Sequence, residues 1–253
     1  MKASPTWFTT AMSLPLNSPP ANMASLVSQF DKLNSQYNLI ADNQKILIAV
    51  SGGIDSLVLS RLLFELRLAE FKNLELLAAY VRQKSVALIN EALKEIADLL
   101  ADWQIPFSIL DSELPESSQI NCYACARERR KRLFQFAIMH DCNAIAFGHN
   151  LDDYLETGLM NLVFKGNLES LQPIQIQLGG RIRIVRPLLN WPKKHIRASG
   201  RAYGIKSIAP VCPMASFNKR QDINAMITSF SRLNRGFRSN LRRAINHWNR
   251  LSI

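Results

Sequence analysis

A five-residue apolar run that ends at two glycines constrains the fold of this chain more than any other stretch. The run, residues 46–50, reads ILIAV, and its length and β-branching are typical of a strand buried on both faces. The Ser-Gly-Gly sequence at 51–53 has little side-chain bulk, so backbone N–H groups can surround an anion there. A helical pattern follows, with Asp55 or Ser56 as its expected N-cap. Strand, glycine turn and helix start together predict a phosphate-binding site.

Strands and helices alternate along the chain, which predicts βαβ crossovers and a parallel sheet. Amphipathic helices are expected at 25–37 and 85–103. About five strands are expected, at 46–50, 74–81, 107–110, 143–148 and 182–185. The predicted fold is therefore α/β and Rossmann-like, with helices on both faces of the sheet and ligands at the carboxyl ends of its strands.

The charge of the chain favours a polyanionic partner. Its 253 residues carry a formal net charge of +11, and a surplus of Lys and Arg gains affinity by releasing counterions from phosphate backbones. Basic residues are concentrated near the end, where apolar residues keep helical spacing, so a folded basic helical extension is expected over 216–253. Residues 1–24 have the composition of a disordered leader. No apolar segment approaches the ~20 residues of a membrane span, so a soluble, cytoplasmic protein with no membrane partner is expected.

The chain contains four cysteines, two of which form a CxxC motif at Cys122 and Cys125. In a reducing compartment this motif indicates metal or redox chemistry rather than a disulfide framework. The spacing places both sulfurs in the first turn of a helix, where the dipole lowers the thiol pKa. Cys212 lies between two prolines, which favours exposure or ligation, whereas Cys142 at a strand edge is interpreted as a buried small residue.

A second polar group follows the strand predicted at 143–148. His149, Asp152 and Asp153 come directly after it. At the carboxyl end of a strand these side chains are positioned to hold the Mg²⁺ of a nucleotide or to orient a reacting group. The alternative interpretation is a helix cap, with acidic residues near the positive end of the helix dipole.

Four motifs carry a family resemblance: SGGIDS at 51–56, CYAC with its basic follow-on at 122–132, GHNLDDYLET at 148–157, and VRPL at 185–188 followed by Cys212. In this order they resemble the ATP pyrophosphatase (PP-loop) family and, within it, the tRNA 2-thiolation enzymes of the 2-thiocytidine type. The resemblance implies the adenine nucleotide alpha hydrolase-like form of the fold, with 25–215 as the ATP-binding catalytic domain.

The resemblance implies that ATP is cleaved into AMP and pyrophosphate while a base carbonyl, that of cytidine C2, is adenylated and its oxygen is replaced by sulfur. The residues expected to act in catalysis are Asp55, Arg129 and Asp152, of which the two aspartates also help to hold Mg²⁺ and Arg129 stabilises negative charge. The residues expected to contact the nucleotide are Ala49, Ser51, Gly52, Gly53, Asp55, Ser56, Tyr80, Gly148, His149 and Asp153.

The resemblance further implies a [4Fe–4S] cluster held by Cys122, Cys125 and Cys212, with one iron left open for the incoming sulfur. The implied partners are tRNA and a sulfur donor, either a protein persulfide or inorganic sulfide, and a homodimer is the candidate assembly. One alternative is an ATP-dependent ligase or amidating enzyme with zinc at the same cysteines and Cys142 as a fourth ligand. A second alternative is a basic RNA-binding protein that keeps the fold without catalysis.

Overall fold

The computed structural model describes residues 21–83, 88–114, 122–208 and 219–251. Within these ranges there are eight α-helices: α1 Ala21–Tyr37, α2 Ile54–Ala69, α3 Asn90–Asp102, α4 Cys122–Met139, α5 Leu151–Lys165, α6 Lys193–Ala202, α7 Lys219–Leu233 and α8 Phe237–Leu251. The same ranges contain six strands: β1 Lys45–Ala49, β2 Glu75–Arg82, β3 Phe107–Asp111, β4 Ala144–Ala146, β5 Ile174–Gln177 and β6 Ile182–Val185. Cys212 and residues 1–20 of the expected leader lie outside the described ranges.

The strands form one sheet in the order β3-β2-β1-β4-β6-β5. All neighbouring pairs are parallel except β5 and β6, so β1, β2 and β4 present their carboxyl ends at the same edge. The parallel α/β fold is confirmed, but the sheet has six strands rather than about five. The missed strand β5 reads IQIQ and lies at the sheet edge, partly exposed, so it lacks the apolar run that marks a buried strand.

Helices cover both faces of the sheet, as predicted. On one face α1, α2 and α6 pack in the main core, where the predicted inward residues of α1 are all buried: Leu26, Phe30 and Leu33. On the other face α4 packs on β2 and β4 through Leu133 and Ala137. The strand β1 is central because Ile46, Leu47 and Ile48 are buried from both sides.

The basic C-terminal segment is helical, as predicted, and it folds onto α5. Ile223 and Ile227 of α7 and Leu241 and Ile245 of α8 share a core cluster with Leu155. Hydrophobic burial therefore holds one face of each helix, which leaves the arginines on the opposite faces near solvent. Among the described helices, none is long and apolar enough to cross a membrane.

Two helix boundaries differ from those expected from sequence. The helix α1 begins at Ala21 rather than residue 25, and α3 begins at Asn90, whereas a helix from residue 85 was expected. Leu88 lies before α3 and is nevertheless buried, so its apolar character reflects packing of the connecting segment and not a helical turn.

Candidate active site

The glycine turn connects β1 to α2 and is shaped by hydroxyl groups. Ser56 Oγ donates to the carbonyl oxygen of Gly53 at 2.8 Å and accepts from the Ser51 N–H at 3.2 Å. Gly52 has a φ of 78°, a conformation in which a side chain would be strained. The N-cap of α2 is Gly53, so the expectation of Asp55 or Ser56 as the cap was wrong.

The cap matters because a glycine has no side chain with which to satisfy the first amides of the helix. Among the hydrogen bonds of the described residues, none uses the N–H of Gly52, Ile54 or Asp55. These amides lie at the positive end of the α2 dipole. Uncapped amides at this end are suited to bind the oxygens of a phosphate group.

Asp55 stands in the first turn of α2 with one carboxylate oxygen unsatisfied. Its Oδ2 accepts from Asn150 Nδ2 at 3.3 Å and lies 4.0 Å from Lys193 Nζ. Its Oδ1 is buried and has no hydrogen-bond partner. Burial raises the pKa of Asp55 to about 6, an effect that nearby Lys193 opposes. A buried carboxylate oxygen without a partner fits a bound cation, because an orphaned charge is costly unless it is matched.

The helix α6 brings Lys193 to this site, a contact that no local sequence pattern predicts. A Cβ on Gly200 of α6 would lie 2.5 Å from Ile54 Cδ1, so the two helices approach closely at the start of α2. The N-terminus of α6 thereby comes within reach of Asp55. Contacts of this kind are set by the packing of α6 on α2 and do not follow from spacing along the chain.

The acidic residues after β4 lie beside Asp55, and part of their role is structural. The buried Asn150 caps α5, and Asp153 Oδ2 accepts from the Asn150 N–H at 2.9 Å to complete a capping box. Asp152 Oδ2 accepts from the Lys193 N–H at 2.7 Å, and its Oδ1 accepts from Arg238 Nη2 at 2.6 Å. The helix-cap interpretation therefore holds for Asp153, while Asp152 links α5 to α6 and α8.

His149 follows β4 and is held as a neutral side chain. Arg186 Nε donates to His149 Nδ1 at 3.3 Å, which leaves the ring proton on Nε2. The ring stacks on Phe147, with a centroid distance of 5.5 Å. Burial, followed by the charges of Arg186 and other arginines, lowers the pKa of His149 to about 3. Arg186 itself is 5% exposed, and its role was not foreseen from the sequence.

We expect His149 to remain neutral from pH 5 to pH 8, because its pKa of about 3 lies below this range. In nuclear magnetic resonance spectra its ring carbon-bound proton should not shift over this interval. In the Arg186→Met variant, which lacks the neighbouring cation, the pKa of His149 should rise toward the ordinary histidine pKa of about 6.5. A wild-type resonance that titrates near pH 6 would contradict this assignment.

Gly148 lies at the end of β4, directly against the start of α2. A Cβ at this position would meet the backbone carbonyl atoms of Asp55 and the Ser56 nitrogen at 3.0 Å. Since backbone atoms cannot rotate away, any larger residue must push the first turn of α2. The structure therefore explains why this position is glycine, and its role in nucleotide binding stays a prediction.

Replacing Gly148 with alanine should weaken ATP binding by about 10-fold, the equivalent of about 1.4 kcal/mol, because it displaces the amides at the start of α2. Isothermal titration of ATP measures the effect. Gly158→Ala is the comparison variant, since its Cβ would crowd the buried Ile245 side chain between α5 and α8, away from the glycine turn. Equal ATP affinities for the two variants would refute the steric argument.

The CxxC motif opens α4 and is joined to the end of β2. Cys125 is partly buried, and its carbonyl oxygen accepts from Gln83 Nε2 at 2.9 Å. Arg129 Nη2 donates to Gln83 Oε1 at 3.3 Å, so Arg129 and the motif are positioned by one glutamine. Because β2 and β1 are parallel neighbours, this glutamine follows β2 at the same sheet edge as the glycine turn. The side chain of Cys122 and all of Cys212 lie outside what the structure describes.

Three other sequence-predicted residues lie in the sheet or its core. Ala49 ends β1, and Tyr80 of β2 is 5% exposed, with its hydroxyl accepting from the Leu88 N–H at 3.2 Å. Cys142 is buried against α4, and burial raises its thiol pKa to about 11. A thiol that resists ionisation is a poor metal ligand, which agrees with its interpretation as a packing residue.

Sequence comparisons with known proteins identify a family for this chain. A family model for the PP-loop domain matches residues 23–209. A tRNA-cytidine(32) 2-sulfurtransferase of Geotalea uraniireducens is 30% identical over 194 residues, covering 74% of this chain and 76% of the relative. The enzyme of the same name from Hahella chejuensis is 29% identical over 220 residues, which cover 83% of this chain and 76% of the relative.

Among solved structures, the U34-tRNA thiolase NcsA from Methanococcus maripaludis, determined with its [4Fe–4S] cluster, shares the fold. Its TM-score is 0.74 at 21% identity, over 89% of this chain and 79% of the thiolase. The family model covers most of the chain, and the sulfurtransferase relatives cover the same region. The chain therefore belongs to the PP-loop family, in the branch that contains the tRNA-cytidine(32) 2-sulfurtransferases.

Proposed function

We propose that this protein is an ATP-dependent tRNA thiolation enzyme, which adenylates the C2 carbonyl oxygen of a cytidine and replaces that oxygen with sulfur. The observation that carries the proposal is the unpartnered, buried Oδ1 of Asp55 beside the uncapped amides of α2. This arrangement suits a cation and a phosphate chain together. The names of the related sulfurtransferases supply the substrate class.

In this proposal the ATP phosphates bind at the start of α2. The N–H groups of Gly52, Ile54 and Asp55 would meet phosphate oxygens, and the Lys193 ammonium would add a positive charge from α6. Asp55 Oδ1 would hold Mg²⁺, which neutralises the phosphates when bound. Asp152 is already held by Arg238 and by the Lys193 N–H, so Asp55 is the principal cation ligand in this proposal.

The reaction then proceeds in two displacements. The cytidine O2 attacks the α-phosphorus of ATP, and the bond from that phosphorus to the bridging oxygen breaks, so pyrophosphate leaves. The adenylated oxygen is now part of a good leaving group. Attack of a sulfur nucleophile on C2 expels AMP with that oxygen. Arg129, held by Gln83, is our candidate for stabilising the negative charge that develops during this exchange.

The cysteines fit a [4Fe–4S] cluster by their donor chemistry. Cys122 and Cys125 stand in the first turn of α4, where the helix dipole favours thiolates. The Ile208 N–H donates to the Gly52 carbonyl oxygen at 2.8 Å, so the chain touches the glycine turn four residues before Cys212. When bound, the cluster supplies an iron without a protein ligand that can accept the incoming sulfur.

The sulfur donor in this proposal is inorganic sulfide, which is already at the oxidation level of the product, or a protein persulfide, whose S–S bond must then be cleaved by a thiol that supplies two electrons. The reaction takes place in the cytoplasm. The zinc-containing ligase alternative differs in a measurable way, because zinc sites are colourless and contain no acid-labile sulfide. Iron and sulfide analysis of the anaerobically purified protein separates the two.

The proposal is tested by the products of ATP cleavage. With ATP, Mg²⁺, sulfide and unmodified tRNA under anaerobic conditions, we expect AMP and pyrophosphate in equal amounts, with little of either when tRNA is omitted. Chromatography of the nucleotides and a coupled pyrophosphate assay measure both. Formation of ADP and phosphate, or tRNA binding without any ATP cleavage, would overturn the proposal, and the second result would favour the RNA-binding alternative.

A further inference from the structure

A cleft of about 640 Å³ lies between the start of α5, the start of α6 and one face of α8. Apart from Leu151 and Asp152, which belong to the motif at 148–157, its residues lie outside the PP-loop motifs. Its wall is formed by Leu151, Asp152, Pro192, Lys194, Arg238, Ser239, Arg242, Arg243 and Asn246. Four of these residues are cationic and one is acidic, so the cleft is strongly basic.

Most of this positive charge is not neutralised within the protein. Arg238 pairs with Asp152, but Arg242 Nη2 donates to the amide oxygen of Asn190 at 2.8 Å. Arg243 Nη2 likewise donates to the amide oxygen of Asn240, at 2.7 Å. Across the described part of the chain, no carboxylate pairs with Lys194, Arg242 or Arg243. Amide oxygens orient these guanidinium groups without cancelling their charge.

The geometry of α8 holds part of this basic cluster in place. Arg238, Arg242 and Asn246 recur every fourth residue and lie about 6 Å apart along one helix face. The adjoining face is fixed, because Leu241 and Ile245 are buried against α5. Cations on a supported helix can contact a repeating polyanion.

The cleft also adjoins the catalytic residues. Asp152 accepts from Arg238 on the cleft side and from the backbone of Lys193, whose ammonium lies 4.0 Å from Asp55 Oδ2. A chain lying in the cleft would therefore pass next to the site of adenylation.

We propose that this cleft binds the sugar–phosphate backbone of the RNA substrate. The inference rests on the proposed function and adds the surface by which the substrate is held. RNA is favoured because Lys194, Arg242 and Arg243, which no carboxylate of the described residues neutralises, gain affinity by displacing counterions from phosphates. The contacts position the strand without reading its bases, so base selection belongs to the adenylation site.

The test is direct binding of tRNA to the full-length protein, by fluorescence anisotropy, across a series of salt concentrations. The Arg242→Ala/Arg243→Ala double variant should bind about 10-fold or more weakly, and the slope of log affinity against log salt should fall by about two. Lys194→Ala, on the opposite wall, should lower the slope by about one and guards against a folding defect in the double variant. Lys94→Ala, an exposed lysine on α3, is the matched control and should bind as wild type.

ATP affinity, measured separately, should be unchanged in all three variants. If the slope of log affinity against log salt were the same as wild type in the double variant and in Lys194→Ala, the cleft would not be the RNA-binding surface. The proposed function would be unaffected by that result. Failure of the wild-type protein to bind tRNA would remove the proposed function and the cleft assignment together. Preferential binding of an acidic protein over tRNA at the cleft would also contradict it.

Discussion

Replacing Asp55 with asparagine is expected to lower tRNA-dependent pyrophosphate release by about 100-fold or more while leaving the protein folded. The reason is the position of its Oδ1, which is buried and unpartnered beside the amides of α2. An amide of the same shape can still accept from Asn150 but cannot match the charge of a cation. Steady-state pyrophosphate release, with circular dichroism as the folding control, measures the effect.

The same variant should be more stable than wild type at alkaline pH. The pKa of Asp55 is raised from 3.8 to about 6, so its ionised form is disfavoured in the folded protein. Its contribution to stability is fully present below about pH 3.8, the pKa of the unfolded state, and is lost as the pH rises through about 6. Asparagine has no such titration, so without ligands the variant should match wild type below about pH 3.8 and exceed it by about 2–3 kcal/mol at pH 8. Unchanged turnover, or lower stability at pH 8, would contradict this role.

Removing any one of three cysteines is expected to abolish retention of the iron–sulfur cluster. Cys122→Ala, Cys125→Ala and Cys212→Ala each take away a thiolate, and a cluster with two remaining protein ligands should be lost on purification. Anaerobic visible absorption together with iron and sulfide analysis measures retention. tRNA binding should persist in all three variants, because the basic cleft does not include these residues.

Cys142→Ala is the matched control for this series. Cys142 is buried against α4, and its thiol pKa is raised to about 11, so it behaves as a small apolar residue. We expect this variant to keep its cluster in full. Equal loss in all four variants, or full retention without Cys212, would show that the ligand assignment is wrong.

The features that could be predicted from the sequence are those encoded locally. The buried strand, the glycine turn and the leucine face of α2 are contiguous, so their pattern is sufficient to predict a strand, a turn and a helix. The parallel sheet follows from the alternation of strands and helices. The cap of α2 was misassigned because Asp and Ser are usual caps, whereas here Gly53 holds that position and leaves the amides open.

The features that were missed depend on contacts between distant segments. Asn150 reaches Asp55 across 95 positions of sequence, and Arg238 reaches Asp152 across 86. Arg186 fixes His149 only because β6 pairs with β4. No periodicity reports such pairs. An asparagine before an acidic helix start was nevertheless a recognisable N-cap signal for Asn150.

The most direct test of the proposed thiolation is nucleoside analysis by mass spectrometry of tRNA that has been incubated anaerobically with the cluster-containing protein, ATP, Mg²⁺ and sulfide. We expect a cytidine that is heavier by the replacement of one oxygen by sulfur, formed in proportion to AMP and absent when Asp55→Asn replaces the wild-type protein. Stoichiometric AMP formation with no sulfur in the tRNA would contradict it.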